Sequence, residues 1–198
     1  MNILAPLVEE ISKRSISDER KKDLLPLINY LKNRLLSEKN CQLNFICTHN
    51  SRRSQFSQLW AKVMADYYGI PCTTFSGGVE ITSCNERVIN TLKSQGFSIN
   101  MDQNKENPRY QIGMNEYTFG TFFSKKFDHP ENPTEDFAAI MTCGHADENC
   151  PFIPGTERRI PIRYKDPKIY DNTNNEAQGY LDKSIEIASE MNYIFSHV

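Results

Sequence analysis

No stretch of this 198-residue chain approaches the roughly 18 consecutive apolar residues that a membrane-crossing helix requires, so no such helix is expected. The first twenty residues carry Glu9, Glu10, Lys13, Arg14, Asp18, Glu19 and Arg20, which argues against a secretory signal peptide and makes a cytoplasmic location the expectation. Charge of one sign is also lacking. Lys and Arg number 23 against 25 Asp and Glu, a formal net charge of −2, which provides no electrostatic footprint for nucleic acid or an anionic membrane. Cysteine, at six residues, is too sparse for the disulfide framework of a secreted protein of this length. In a reducing compartment Cys41, Cys47, Cys72, Cys84, Cys143 and Cys150 are each buried, metal-binding or catalytic. No internal repeat or low-complexity tract is visible.

What remains is the composition of one globular domain, with 38% hydrophobic and 24% charged residues. Residues 1–40 are patterned as two amphipathic helices. Ile3, Leu4, Leu7, Val8 and Ile11 recur at three- and four-residue steps, then Leu24, Leu25, Ile28, Leu31 and Leu35 do the same. Ser15 to Asp18 supplies a cap between them, and Pro26 falls in the first turns of the second helix or kinks it. We treat this segment as an N-terminal helical extension, a packing or dimer element, and residues 41–198 as an α/β domain.

Within that domain short apolar runs at 43–47, 73–76 and 137–142 predict buried strands, with a further short strand at 159–162. Helices are expected at 54–68, 85–94 and 177–195. Residues 100–135 are polar, with interspersed aromatics and no single period, and are expected to be a variable insertion. The alternation implies an α/β fold with a doubly wound sheet of about four parallel strands and helices on both faces.

The first strand ends at Cys47, and Arg53 follows six positions later where a helix begins. A loop wrapped that tightly aims consecutive backbone N–H groups inward, and the helix N-terminus adds about half a positive charge at the same spot. Thr48, His49, Asn50, Ser51, Arg52, Arg53 and Ser54 therefore form a candidate oxyanion-binding loop. Arg53 can hold two oxygens with its planar fork, and the same field favours the Cys47 thiolate. Ser54 is suited to donate to the sulfur, and Asn50 tolerates a left-handed backbone.

Cys143 and Cys150 lie seven apart on a segment rich in residues that favour turns and mobile loops, where two thiols can approach each other for disulfide exchange. A zinc site built from Cys143, His145 and Cys150 with Cys84 or Cys72 is the competing assignment, and no paired short spacing supports it. His145 is taken as a polar loop residue without a catalytic role. Asp166 precedes Pro167, which restricts its backbone and would hold its carboxyl beside an oxyanion pocket as a general acid.

Four segments, FICTHNSRRSQ, FSGGVE, MTCGHADENCPFIP and YKDP, resemble in this order the low-molecular-weight protein tyrosine phosphatase superfamily, and more closely its thioredoxin-coupled arsenate reductase branch. The resemblance covers residues 43–195 apart from 100–135. It implies that Cys47 attacks arsenate, Asp166 helps the departing oxygen, Cys143 attacks the Cys47–arsenic adduct and arsenite leaves. Cys150 then closes a Cys143–Cys150 disulfide for thioredoxin, the electron donor, to reduce. No bound cofactor is implied. Ser76 is expected to brace the loop through Asn50, and Gly77 and Gly78 to permit a tight exit from the strand.

Departures from the family pattern are His49 in place of a common Gly, Arg52 in place of a frequent Cys, and Lys168 where phosphatases often carry an aromatic residue. Arg52 either adds positive charge beside the pocket or points to solvent. Gln58 stands where arsenate reductases use a carboxylate to brace the loop through potassium, so a metal-free loop is expected. The main alternative is a phosphatase that hydrolyses phosphomonoesters through a phosphocysteine, using Cys47, Arg53 and Asp166, with Cys143 and Cys150 as redox protection only. A non-catalytic oxyanion-binding protein is a third.

Overall fold

The computed structural model describes residues 5–104, 106–149 and 152–198, so Ile3, Leu4 and Cys150 of the expectations above lie outside the described residues. The chain opens with α1 (Ala5–Ser12) and α2 (Asp18–Leu36). Ser17 caps α2 by accepting the Arg20 amide, and Asp18 and Glu19 in the first turn complement the helix dipole. Pro26 lies in the helix interior rather than its first turns.

Then follow β1 (Cys41–Cys47), α3 (Arg53–Tyr68), β2 (Cys72–Gly78), α4 (Glu86–Ser94), β3 (Ser98–Met101), β4 (Tyr110–Met114) and β5 (Tyr117–Phe122). The chain continues through β6 (Phe137–Met141), α5 (Gly144–Asn149), β7 (Thr156–Pro161), a 3-10 turn (Pro167–Tyr170) and α6 (Glu176–Ser196). The main sheet is parallel throughout, in the order β2-β1-β6-β7.

Alternation along the central strands divides two cores. Leu43 and Phe45 of β1 and Ala138 and Ile140 of β6 face the larger one, with Leu27 and Leu31 of α2, Leu59 and Val63 of α3, and Ile187 and Met191 of α6. Ile46 and Cys47 of β1 and Ala139 and Met141 of β6 face the smaller one, with Cys143, Ala146 and Ile153. Burial on both faces explains why these strands read as unbroken apolar runs. The N-terminal helices are part of the same larger core through Val8, Ile11, Leu24 and Leu27. Arg20 grips buried Glu190 of α6 in a fork (2.7 and 2.9 Å) and lies 5.1 Å from the Tyr164 ring, while Arg34 and Tyr30 both bind Glu157 of β7 at 2.9 Å.

Two segments differ from expectation. Residues 98–122 form a three-stranded antiparallel sheet, β3-β4-β5, whose ladder slips between Ile112 and Gly113. That irregularity breaks the two-residue period that would otherwise mark the strands. Residues 144–149, expected as loop, are helical. Hydrogen bonds from Arg159 and Arg163 tie Asp147 of α5 to β7 and the residues after it, and hold its carboxyl below the ordinary range although burial opposes this.

Candidate active site

Strand β1 delivers Cys47 to the C-terminal edge of the sheet, and α3 starts six residues later at Arg53. Asn50 between them takes the left-handed conformation expected of it (φ 47). Its side-chain amide donates to Ser54 Oγ at 2.8 Å, and Ser54 Oγ lies 3.1 Å from Cys47 Sγ. With its oxygen already accepting from Asn50, the hydroxyl has its proton free to donate to the sulfur.

Every loop carbonyl is held from outside. Val79 N donates to Cys47 O (3.3 Å), Glu80 N to Thr48 O (2.8 Å) and Asn85 N to Ser51 O (3.0 Å). Ser124 Oγ donates to His49 O (2.8 Å), and Gln55 Nε2 to Asn50 O (2.8 Å). The backbone amides of Thr48 to Arg52 have no acceptor among the described residues. Carbonyls turned out and amides left over are the requirements of an anion nest. Gly78 permits this close packing, since a Cβ there would meet Asn50 N at 2.8 Å and the His49 carbonyl carbon at 2.9 Å.

Arg53 donates through Nη2 to Asp166 Oδ2 (2.6 Å) and through Nη1 to Tyr164 O (3.2 Å), while its buried Nε has no partner. Asp166 also caps the 3-10 turn by accepting the Lys168 amide at 3.0 Å, directly before Pro167. Cys47, His49, Ser51, Arg52, Arg53 and Asp166 line a pocket of only about 10 Å³.

Arg52 borders the pocket and its guanidinium is turned away from solvent. It donates to Tyr180 Oη (2.7 Å) and Asp171 (3.0 Å), which places its charge against α6 and the segment before it. Burial and the Asp171 carboxylate push the Tyr180 phenol up. His49 pairs with Glu80 at 3.2 Å on the surface.

Cys143 carries a free, buried thiol in the same small core as Cys47. Its sulfur lies 3.5 Å from Thr48 Oγ1, so the second cysteine reaches the loop one residue beyond the first. Cys72 and Cys84 belong instead to the larger core, and among the described residues no three His, Cys, Asp or Glu side chains are grouped to hold a metal. Burial raises the thiols of Cys41 and Cys72, and that of Cys84 to about 12, keeping them protonated.

Ser76 does not brace Asn50. It sits in register with Phe45 on the face covered by α3 and donates to Gln58 Oε1 at 2.6 Å. Gln58 also donates to Thr74 O, so both its amide oxygen and its amide nitrogen have a partner. The partner of Asn50 Oδ1 is the backbone amide of Lys125 at 2.9 Å. Segment 124–127, whose sequence carries no period or motif to mark it, lies along the back of the loop and also bonds Gly78 in both directions.

No family model matches the chain. Curated relatives include the arsenate reductase of Halalkalibacterium halodurans, 26% identical over 132 residues that make up 67% of this chain and 78% of that protein. The arsenate reductase of Brevibacillus brevis is 28% identical over 123 residues, 62% of this chain and 74% of that protein. Among solved structures, a low-molecular-weight protein tyrosine phosphatase from T. tengcongensis superposes with a TM-score of 0.54 over 80% of this chain and all of its own, at 12% identity. One from Vibrio cholerae gives 0.50 over 79% of this chain and 95% of its own, at 11% identity. The chain has the fold of the low-molecular-weight protein tyrosine phosphatases. Arsenate reductases are its relatives in sequence, and the phosphatase likeness is one of fold. No helix among the described residues is long and apolar enough to cross a membrane.

Proposed function

We propose that the chain is an arsenate reductase that works through three thiols with thioredoxin as electron donor. The observation that carries this is the position of Cys143, a buried free thiol in contact with Thr48 of the oxyanion loop. The loop, Arg53 and Asp166 would serve a phosphatase equally, but the hydrolytic step itself does not require a second thiol against the loop, whereas reduction does.

Arsenate enters as Arg53 exchanges Asp166 for the oxyanion, with the loop amides and the unpartnered Arg53 Nε as further donors. The Cys47 thiolate forms a bond to arsenic(V), and one arsenate oxygen departs as water with the proton that Asp166 supplies. Cys143 thiolate attacks Cys47 sulfur. The sulfur–arsenic bonding pair stays on arsenic, giving arsenite and a Cys47–Cys143 disulfide. Cys150 attacks Cys143, frees Cys47 and leaves a Cys143–Cys150 disulfide, so two thiols supply the two electrons. Reduction of that disulfide by thioredoxin in the cytoplasm completes the cycle.

The test is NADPH oxidation by thioredoxin reductase and thioredoxin with arsenate, beside hydrolysis of p-nitrophenyl phosphate on the same sample. Arsenate-dependent oxidation lost in Cys143→Ser and Cys150→Ser is expected. Hydrolysis alone, unchanged in Cys150→Ser, would make the protein a phosphatase instead.

A further inference from the structure

The parallel pairing of β1 and β2 sets two cysteines side by side. Cys41 and Cys72, the first residues of the two strands, are register partners, and the Cys41 amide donates to Pro71 O at 3.4 Å. Register partners on adjacent strands turn their side chains to the same face, and both residues belong to the larger core. Neighbouring strands lie about 4.7–4.9 Å apart, inside the Cα separation of roughly 4.4–6.8 Å that a disulfide spans. We infer that Cys41 and Cys72 are an oxidation site that closes to a cross-strand disulfide, at the end of β1 opposite Cys47.

Each thiol is a weak donor to a carbonyl, Cys41 to Leu31 O at 4.0 Å and Cys72 to Thr73 O at 3.9 Å, and such contacts give way readily to a covalent bond. Burial, reinforced by Cys41 and opposed by Lys62, pushes the Cys72 thiol up, and burial does the same to Cys41. Thiols held protonated react slowly, and with Cys41 fully covered and Cys72 only 8% exposed a bulky disulfide oxidant is shut out. The oxidant that fits is a small uncharged peroxide, with Cys72 as the point of attack. The Cys72 sulfur takes one peroxide oxygen as the O–O bond breaks and water leaves. Cys41 then attacks the sulfenic acid, forming the S–S bond and releasing a second water, so that two electrons pass from the sulfurs to the peroxide. Cys47 and Cys143 lie in the smaller core, and the inference is independent of the three-thiol reduction of arsenate.

The experiment is a peptide map of the folded full-length chain after treatment with hydrogen peroxide, with remaining thiols alkylated in denaturant. Trypsin and chymotrypsin together cut after Phe45 and Phe75, which separates Cys41 from Cys47 and Cys72 from Cys84. The expected product is a peptide pair joined through Cys41 and Cys72, lighter by two hydrogens than its two halves and split by a phosphine reductant. The same treatment of urea-unfolded protein measures chance pairing. The Cys41–Cys72 link is expected to be about tenfold more abundant from the folded chain, because in the unfolded one Cys47, six positions away, competes for Cys41. Recovery of Cys41 and Cys72 as free thiols would overturn the inference, as would Cys72 carried to sulfinic acid beside a free Cys41, or a link no more abundant in folded than in unfolded protein. The map is read on the wild-type chain, so no variant has to fold for the test to decide.

Discussion

Lys125 offers the sharpest energetic test of the structure. The residue is 4% exposed, its Nζ stands 4.6 Å from the centre of the Phe123 ring, and the Arg109 guanidinium stacks on the same ring at 3.9 Å. The nearby carboxylate, Glu131, bonds to Arg109 at 2.7 Å instead. Burial, opposed by Glu131 and aided by Arg109, lowers the Lys125 amine from 10.5 to about 8. Below pH 8 the amine is charged in both folded and unfolded chains, and the folded chain bears the full cost. Between about 8 and 10.5 the unfolded chain binds more protons, so this group makes stability rise with pH; above 10.5 the cost vanishes. A gap of that size corresponds to about 3 kcal/mol. Lys125→Met keeps an unbranched stem against Phe123 and removes the charge. The variant should exceed the wild type in stability by about 2–3 kcal/mol at pH 7 and by only about 1 kcal/mol at pH 10 in urea unfolding. A difference equal at both pH values, or a destabilised variant at pH 7, would refute the argument. The backbone amide of Lys125, which holds Asn50, is untouched by the substitution.

Gly78→Ala places a methyl against Asn50 N and the His49 carbonyl carbon, so kcat/KM should fall by about 100-fold through displacement of the loop, whereas Gly144→Ala, with nothing nearer than Glu148 Oε1 at 3.9 Å, should leave it unchanged. Steady-state kinetics on both variants checks this. Arg20→Ala strands the buried Glu190 carboxylate and should cost about 2–4 kcal/mol in urea unfolding. Adding Glu190→Gln should recover part of that loss.

The elements legible in the sequence are those whose signal is local. Strands β1 and β6 and helix α3 fall within about two residues of expectation because burial imposes an unbroken apolar run or a 3.6-residue stripe on them. Edge strand β7 begins at Thr156, earlier than expected, since Glu157, Arg158 and Arg159 carry no apolar signal and Glu157 is committed to α2. The six residues of α5 are too few to show a period, and long-range arginine contacts to Asp147 secure it. Strands β4 and β5 are hidden by the slip at Ile112 and Gly113.

The candidate site divides the same way. Cys47, Asn50, Arg53 and Ser54 stand within eight residues, and a strand ending one turn before a helix restricts how that length of chain can run, so their arrangement follows from spacing. Three features do not. Arg53 meets Asp166 across 113 positions, Cys143 meets Thr48 across 95, and Lys125 rather than Ser76 supports Asn50 across 75. Each depends on which strand lies beside which and on how the β3-β4-β5 insertion returns behind the loop. Local backbone geometry is determined by near neighbours in the chain; the partners of a buried polar group are determined by the order of the sheet, which the tertiary fold alone decides.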